Sequence, residues 1–365
     1  VIDKFLYWSA REQQAINPPL ASGKQKILIS SYRFHPSVGG IETVALIVAE
    51  ELAKKGYTIK VITQTPANQH QLTDFPFDII RRPSPLQTLD LVRWCDLLLI
   101  NNNDSLRAAW PLLAIHKPAI VVHHQYRHSK GLFAWQEPLN HRALCRAENI
   151  SVSHALAKQL NTPYTVVPNP YQDDLFFEMP EVERTHELVF LGRLDHQKGL
   201  DLLFKALKLL QEQALTPRLT VIGTGILEKN FRRLAQDLGI GSQVHFVGKK
   251  TGLELVHLLN DHRIMVVPSR PFEAFGIVAL EGIACGCVVL GSAQGGLPEA
   301  IGPCGETFVS EDVQDLAKKL FNLLHHPERL SDYRAHAQEY LRHFRRDRVA
   351  ASYDAVVERV LNSVV

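Results

Sequence analysis

The chain has 365 residues, 45% of them hydrophobic and 21% charged, with a formal net charge of +2. Its length is about twice that of a usual domain and predicts two domains, and its composition excludes disorder and collagen-like repetition. So small a charge argues against nucleic acid as a partner, and no apolar run reaches the roughly 18–20 residues that a membrane-spanning helix needs.

Residues 1–25 read as an N-terminal extension that ends in the linker NPPLASGKQ (17–25). The opening VIDKFLYWSAREQQAI lacks the basic start and cleavage site of a signal peptide. Its FLYW cluster is too aromatic for a surface tail, so packing on the first domain is favoured over contact with a membrane or a partner.

KILISS (26–31) reads as the first strand, the stretch 41–56 as an amphipathic helix stopped by Gly56, and YTIKVIT (57–63) as the next strand. A β-α-β unit predicts a parallel sheet. FDIIRR (77–82), DLLLIN (96–101), AIVVHH (119–124), NISVS (149–153) and YTVVP (164–168) extend it into a doubly wound domain over residues 26–170. The acid-rich stretch 173–187 is a connector, and a second alternating series fills residues 171–344. Its strands are ELVFLGR (187–193), RLTVIG (218–223), QVHFVG (243–248), RIMVVP (263–268), CVVLGS (287–292) and ETFV (306–309). Helices are expected over 199–213, 231–239, 253–260 and 277–284. The tail from Asp332 is helical and arginine-rich, and spacing alone leaves open which domain its last helix covers.

Five cysteines, Cys95, Cys145, Cys285, Cys287 and Cys304, are an odd, scattered set in mostly apolar surroundings. They point to reduced thiols in a cytosolic setting. Cys285 and Cys287 have no further metal-ligand spacing beside them, so buried thiols are favoured over a metal site.

The most informative stretch is 268–299. A buried strand ends at Pro268, a loop carries Glu273, and a helix carrying Glu281 follows. Such a strand–loop–helix passage brings the first helical amides, near Phe275, Gly276 and Ile277, to the carboxyl edge of a sheet, where an anion is favoured. Two acids beside an anion site suit the hydroxyls of a sugar or ribose attached to a phosphate.

Arg193 and Lys198 follow the first strand of the second domain and could hold a diphosphate, or be a solvated basic loop. Gly39-Gly40 opens the first helix, either for close approach of a diphosphate or as a simple turn; it does not match G-x-G-x-x-G. Gly223 and Gly225 could let a base or ribose approach the backbone, or form a tight turn. His123 and His124 end a parallel strand, and alternation sends their side chains to opposite faces, so at most one enters a ligand crevice. Ser153 reads as a helix cap rather than a ligand contact.

These elements together resemble glycosyltransferase family 4, retaining enzymes of the two-Rossmann GT-B architecture. The resemblance runs from residue 26 through Gly-Gly-Ile-Glu (39–42), the strand-end His, Val-Pro-Asn (167–169), Gly-Arg-Leu…Lys-Gly (192–199), Glu-x7-Glu (273–281) and Gly-Gly-Leu-Pro-Glu (295–299). It departs at Pro170, where the family commonly has Gly.

The resemblance implies two tandem doubly wound α/β domains with an interdomain cleft, and a C-terminal helix, about 345–365, returning to the first domain around Tyr353. It implies that Arg193 and Lys198 bind the donor diphosphate, Glu281 the ribose, and Glu273 the transferred sugar, with Phe275, Gly276 and Ile277 near sugar and phosphate. Gly40 would line the diphosphate. His124, with His123 as the fallback, would orient the donor sugar. The implied reaction is transfer of a hexosyl group, with retention, from a UDP- or GDP-type nucleotide sugar to a glycan, lipid-linked sugar or small metabolite, without metal or other cofactor. A nucleotide-sugar epimerase and a non-catalytic nucleotide-sugar-binding protein are the alternatives. The expected location is the cytoplasm. Peripheral contact with the inner membrane face through the loop 126–136, Arg81-Arg82 or the basic tail is weighed there against solvated charge.

Overall fold

A computed structural model describes residues 25–37, 39–67, 74–102, 115–126, 141–142, 144–271 and 273–363. The extension 1–24 and the loop residues 127–136 lie outside the described residues.

The first domain is a seven-stranded sheet made of β1 (Lys26–Ser31), β2 (Thr58–Thr63), β3 (Asp78–Arg81), β4 (Leu97–Asn101), β5 (Ala119–His123), β6 (Glu148–Ser151) and β7 (Thr165–Val166). Its order is β3-β2-β1-β4-β5-β6-β7, and every pairing is parallel. The second is a six-stranded sheet made of β8 (His186–Leu191), β9 (Leu219–Ile222), β10 (Val244–Gly248), β11 (His262–Val267), β12 (Val288–Ser292) and β13 (Gly305–Phe308), ordered β10-β9-β8-β11-β12-β13. It too is parallel throughout. The central strands β4 and β5 are continuous apolar runs because helices or chain cover both faces of a parallel sheet; all their residues are buried.

In both sheets the chain reverses direction after its third strand, between β1 and β4 and between β8 and β11. The loops leaving β1, β8 and β11 therefore open at the topological switch points, where such sheets bind ligands.

The helix Ile277–Ala284 begins and ends where the apolar run does. The stretch after β13 is a helix, Val313–His325, that patterning left unread. The Asp312 side chain accepts from Gln314 N and Asp315 N and starts it. The tail is three helices rather than one continuous run: Pro327–Ala335, Ala337–Leu341 and Arg346–Asn362.

The last helix lies on the first domain. Asp354 accepts from Tyr57 Oη at 2.8 Å and pairs with Lys55 at 2.6 Å. Arg346 pairs with Glu50 and, at 3.6 Å, with Glu51, while Tyr353 is buried. The two chain crossings between the domains run side by side, tied by Tyr171 N to Phe344 O at 3.2 Å and Arg345 to Asp173 at 3.0 Å.

Candidate active site

The loops after β8 and β11 are clamped together by a residue the sequence did not flag. Arg270 grips Asp201 through two bonds, 2.9 and 2.8 Å, and donates to the His196 carbonyl at 2.7 Å. A planar fork against a carboxylate fixes both distance and angle. A Cβ on Gly199 would meet the Pro268 carbonyl oxygen at 2.0 Å, so the two loops approach as closely as backbone can.

This clamp brings Lys198 Nζ to 2.5 Å from Glu273 Oε2, with the side chains 23% and 19% exposed. Ser269 Oγ donates to the same oxygen at 3.0 Å. Burial pushes the Glu273 carboxyl up, but the Lys198 ammonium, the Ser269 hydroxyl and the nearby Arg193 outweigh it and hold the group below its usual range. Arg193 stands further out, 70% exposed, 3.3 Å from Asp195. A carboxylate and two cations thus share one loop cluster.

Gly276 caps the Ile277–Ala284 helix at φ 93°, where a side chain is strained and would also strike Leu297 Cδ1 at 2.6 Å. The Phe275 ring is buried, 5.8 Å from that of Phe344, so only its backbone can face a ligand. Among the described residues, the Gly276 and Ile277 amides have no acceptor. Across the cleft, Gly40 opens the helix Gly40–Lys54, and a Cβ on it would come 3.3 Å from Ile277 Cδ1. Two helix N-termini, one from each domain, therefore point at a common space, and their dipoles favour negative charge there.

Glu281 sits on the Ile277–Ala284 helix, partly exposed, and among the described residues its carboxylate has no partner. Burial raises it to about 7. A half-charged acid with no cation beside it is ready for hydroxyl donors.

From the first domain, His124 follows β5 and is buried. Its Nε2 is 2.8 Å from Asn101 Oδ1. Asn101 Nδ2 lies 3.4 Å from the Ile41 carbonyl and 3.1 Å from Ser31 Oγ. A carbonyl can only accept, so the amide nitrogen must face Ile41 and the amide oxygen must face the imidazole. His124 is therefore protonated on Nε2, and its buried Nδ1 is an acceptor with no partner among the described residues. Burial and then the neighbouring His123 lower its pKa to about 3, against a smaller upward pull from the Asn169 side chain, with which it makes no direct hydrogen bond. His123 turns the other way, with Nε2 3.0 Å from Asn149 Oδ1. Tyr126, two residues on, has its phenol raised by burial and then by Glu299 and Glu273, which puts it near acids of the second domain.

Other expectations fare differently. Gly223, at φ +138°, would strike the Gly192 carbonyl oxygen at 1.9 Å with a Cβ, and Gly225 the Leu194 carbonyl oxygen at 2.4 Å. Both glycines are required by the loop that carries Arg193, which accounts for them without a ligand. Ser153 does cap its helix, accepting from Leu156 N at 3.1 Å, but it also donates to the Ala274 carbonyl of the second domain at 2.7 Å. Among the tail arginines, Arg342 pairs with Glu339, Arg345 with Asp173, and Arg346 with Asp174 and Glu50. Arg81 and Arg82 donate to the carbonyls of Thr65 and Gln64. Four of the five cysteines are buried, and burial raises the Cys287 and Cys304 thiols to about 12. Among the described residues no helix is long and apolar enough to cross a membrane.

Asn101 and Arg270 were missed, and Glu299 was noted only as the end of Gly-Gly-Leu-Pro-Glu (295–299), with no role assigned. Asn101 had a signal, a polar residue closing the apolar run LLLIN. Arg270 and Glu299 act through partners 69 and 145 residues away, which no local pattern discloses.

Residues 172–340 match the family model described as glycosyl transferases group 1. A D-inositol 3-phosphate glycosyltransferase of Corynebacterium aurimucosum is 36% identical over 168 residues, 43% of this chain and 40% of its own length. A GDP-mannose-dependent monoacylated alpha-(1-6)-phosphatidylinositol monomannoside mannosyltransferase of Corynebacterium glutamicum is 33% identical over 145 residues, 38% of each chain. The chain thus spans about two fifths of the length of these curated relatives. Among solved structures, a sucrose-phosphate synthase from Thermosynechococcus elongatus superposes with a TM-score of 0.78 at 19% identity, covering 93% of this chain and 100% of its own. The Anabaena protein HepE, crystallised with UDP and glucose, gives 0.74 at 18% identity, covering 92% and 100%. The chain therefore has the GT-B fold, and its residues 172–340 are similar to the glycosyl transferases group 1 domain.

Proposed function

We propose that the chain is a retaining, metal-independent glycosyltransferase that moves a hexosyl group from a nucleotide-diphosphate sugar to an acceptor hydroxyl. The observation that carries this reading is the apposition of the Gly40 and Ile277 helix starts beside Arg193, Lys198 and the unpaired Glu281. A diphosphate between those helix starts would meet free amides from both domains and two cations. Glu281 would accept from ribose hydroxyls. Glu273, kept ionised by Lys198, would accept from hydroxyls of the transferred sugar. His124 would offer its bare Nδ1 to a hydroxyl donor.

The bond from the anomeric carbon to the diphosphate breaks as the bond to the acceptor oxygen forms on the same face. The acceptor proton passes to the departing diphosphate oxygen, so no carboxylate need act as base. Lys198, Arg193 and the helix amides stabilise the charge that grows on the diphosphate, the role in which preorganised donors contribute most. These groups supply positive charge that a metal ion could otherwise provide. The family match and the fold favour transfer over epimerisation. The acceptor reading is a glycan, lipid-linked sugar or small metabolite; relatives are named for D-inositol 3-phosphate and for a phosphatidylinositol monomannoside.

A thermal-shift panel of nucleotides and nucleotide sugars tests the donor, since only a bound class stabilises strongly. The matching donor is then incubated with and without EDTA, and the product's anomeric configuration is read by NMR. Inversion, loss of activity with EDTA, or an epimerised donor would each overturn the corresponding part.

A further inference from the structure

Glu299 lies on the short helix Leu297–Ile301 of the second domain, yet its carboxylate is bonded to the first. Oε2 accepts from His154 N and Oε1 from Ala155 N, each at 2.8 Å. These are leading amides of the helix His154–Ala157, which have no partner of their own within it. A carboxylate at that end satisfies both donors and suits the helix dipole. One residue earlier, the Ser153 hydroxyl donates across the cleft to Ala274 O at 2.7 Å.

Ala274 adjoins Glu273, and the loop that delivers Glu299 is bonded to the same place. Gly296 N donates to Glu273 O at 2.9 Å. A Cβ on Gly295 would meet Glu273 O at 2.2 Å, and one on Gly296 would meet Ala274 O at 2.0 Å and Ser153 Oγ at 2.8 Å. Tyr340 Oη holds the Glu299 carbonyl at 2.6 Å. Three segments, 153–155, 273–274 and 295–299, thus meet at one point, and only the first belongs to the first domain.

We propose that Glu299 is a positioning residue which, with Ser153, couples the meeting of the two domains to the seating of Glu273 against the sugar. The proposal rests on the glycosyltransferase reading of the site. When the domains part, the His154 and Ala155 amides lose their carboxylate and the Ala274 carbonyl loses the Ser153 hydroxyl. The Glu273 loop is then released on its first-domain side. Glu273 is held for the sugar only while the cleft is shut and water excluded. The clasp needs two acceptor oxygens: a glutamine would turn an amide N–H towards one of the two donors.

The test compares the full chain with Glu299→Gln, Ser153→Ala and the double variant. The first reading needs no substrate. Spin labels go on cysteines introduced at the exposed positions Leu86 and Val309, one in each domain, in a Cys145→Ser background. Each single variant should broaden the label distances towards longer values; unchanged distances in both overturn the proposal. The second reading is kinetic. Glu299→Gln should lower kcat for transfer about tenfold or more. Nucleotide affinity should change by less than about twofold, and the share of donor lost to hydrolysis should rise, because Glu281 and Lys198 are untouched while water enters. The double variant should lose less than the product of the two single losses, since both remove one contact. Transfer unchanged in both single variants, losses that multiply fully, or nucleotide affinity falling in step with transfer overturn it. If the unaltered chain neither binds a nucleotide nor transfers a sugar, the reading of its function has failed, and the label distances still judge the clasp.

Discussion

His124 Nε2 lies 2.8 Å from Asn101 Oδ1, and the orientation of that amide is set by the Ile41 carbonyl on the first turn of the Gly40 helix. The same helix start faces the proposed diphosphate, so the imidazole is tied to the phosphate-facing backbone through one side chain. Its folded pKa, about 3, lies below the ordinary 6.5. The sign follows: above pH 6.5 the group is neutral folded or unfolded and costs nothing, and between 6.5 and 3 it costs stability as pH falls. His124 should not titrate between about pH 5 and 9. Histidine 15N NMR should show the Nε2–H tautomer throughout. Asn101→Asp supplies an anion, so the imidazole should become protonated near neutrality and lose its free acceptor, giving kcat/KM a new acid limb. A wild-type His124 that titrates near 6.5 would remove the argument.

Glu281 is displaced in the opposite sense. Its carboxyl is raised to about 7 by burial, above the ordinary 4.5, so the neutral form suits the folded protein better. That favourable contribution is complete below about pH 4.5 and is lost as pH rises through 7. Glu281→Gln should then be more stable than the parent above pH 7 and nearly equal to it near pH 4.5, read from urea midpoints. Ribose hydroxyls donating to the carboxylate favour its charged form. Nucleotide binding near pH 6.5 should release protons, detected by calorimetry in two buffers of different ionisation enthalpy, and Glu281→Gln should abolish the release.

The fold was legible because parallel strands buried on both faces leave continuous apolar runs such as LLLIN and AIVVH, which stand out from their polar connections. The helix Val313–His325 was not, because its start depends on an aspartate cap after a short edge strand. In the site, Glu273, Glu281, Arg193 and Lys198 could be named because all four lie in the loops and helices that follow β8 and β11. The residues that orient them could not. Arg270 holds Asp201, Asn101 holds His124, and Glu299 holds His154; the first two bonds join segments that meet only when their own sheet has formed, and the third joins the two domains.

The Lys198–Glu273 pair makes a prediction that separates stability from function. Lys198→Met leaves a largely buried carboxylate with the Ser269 hydroxyl as its remaining direct bond. Its pKa should climb, and the chain should lose about 2 kcal/mol of stability at pH 8. Adding Glu273→Gln removes the stranded charge and should restore most of that loss. Transfer should fall about a hundredfold or more in both variants, because neither restores the cation that meets the departing diphosphate. Denaturant midpoints beside initial rates decide it: activity returning together with stability in the double variant would mean that the lysine serves only the fold.

Gly40 offers the sharpest steric test. It is the first residue of its helix and needs no left-handed backbone, so alanine there should hold or raise Tm, given that alanine exceeds glycine by up to about 1 kcal/mol within helices. The added Cβ would stand 3.3 Å from Ile277 Cδ1, a contact that a small side-chain shift can relieve, but it narrows the space between the two helix starts. Gly40→Ala should therefore keep its stability and lose about tenfold in kcat/KM for the donor. Ile277→Val deletes the opposing Cδ1, so the pair of substitutions should recover much of the loss. Full activity in Gly40→Ala would mean that the diphosphate does not lie between the two helix starts, and failure of Ile277→Val to rescue would mean that width there is not what limits it.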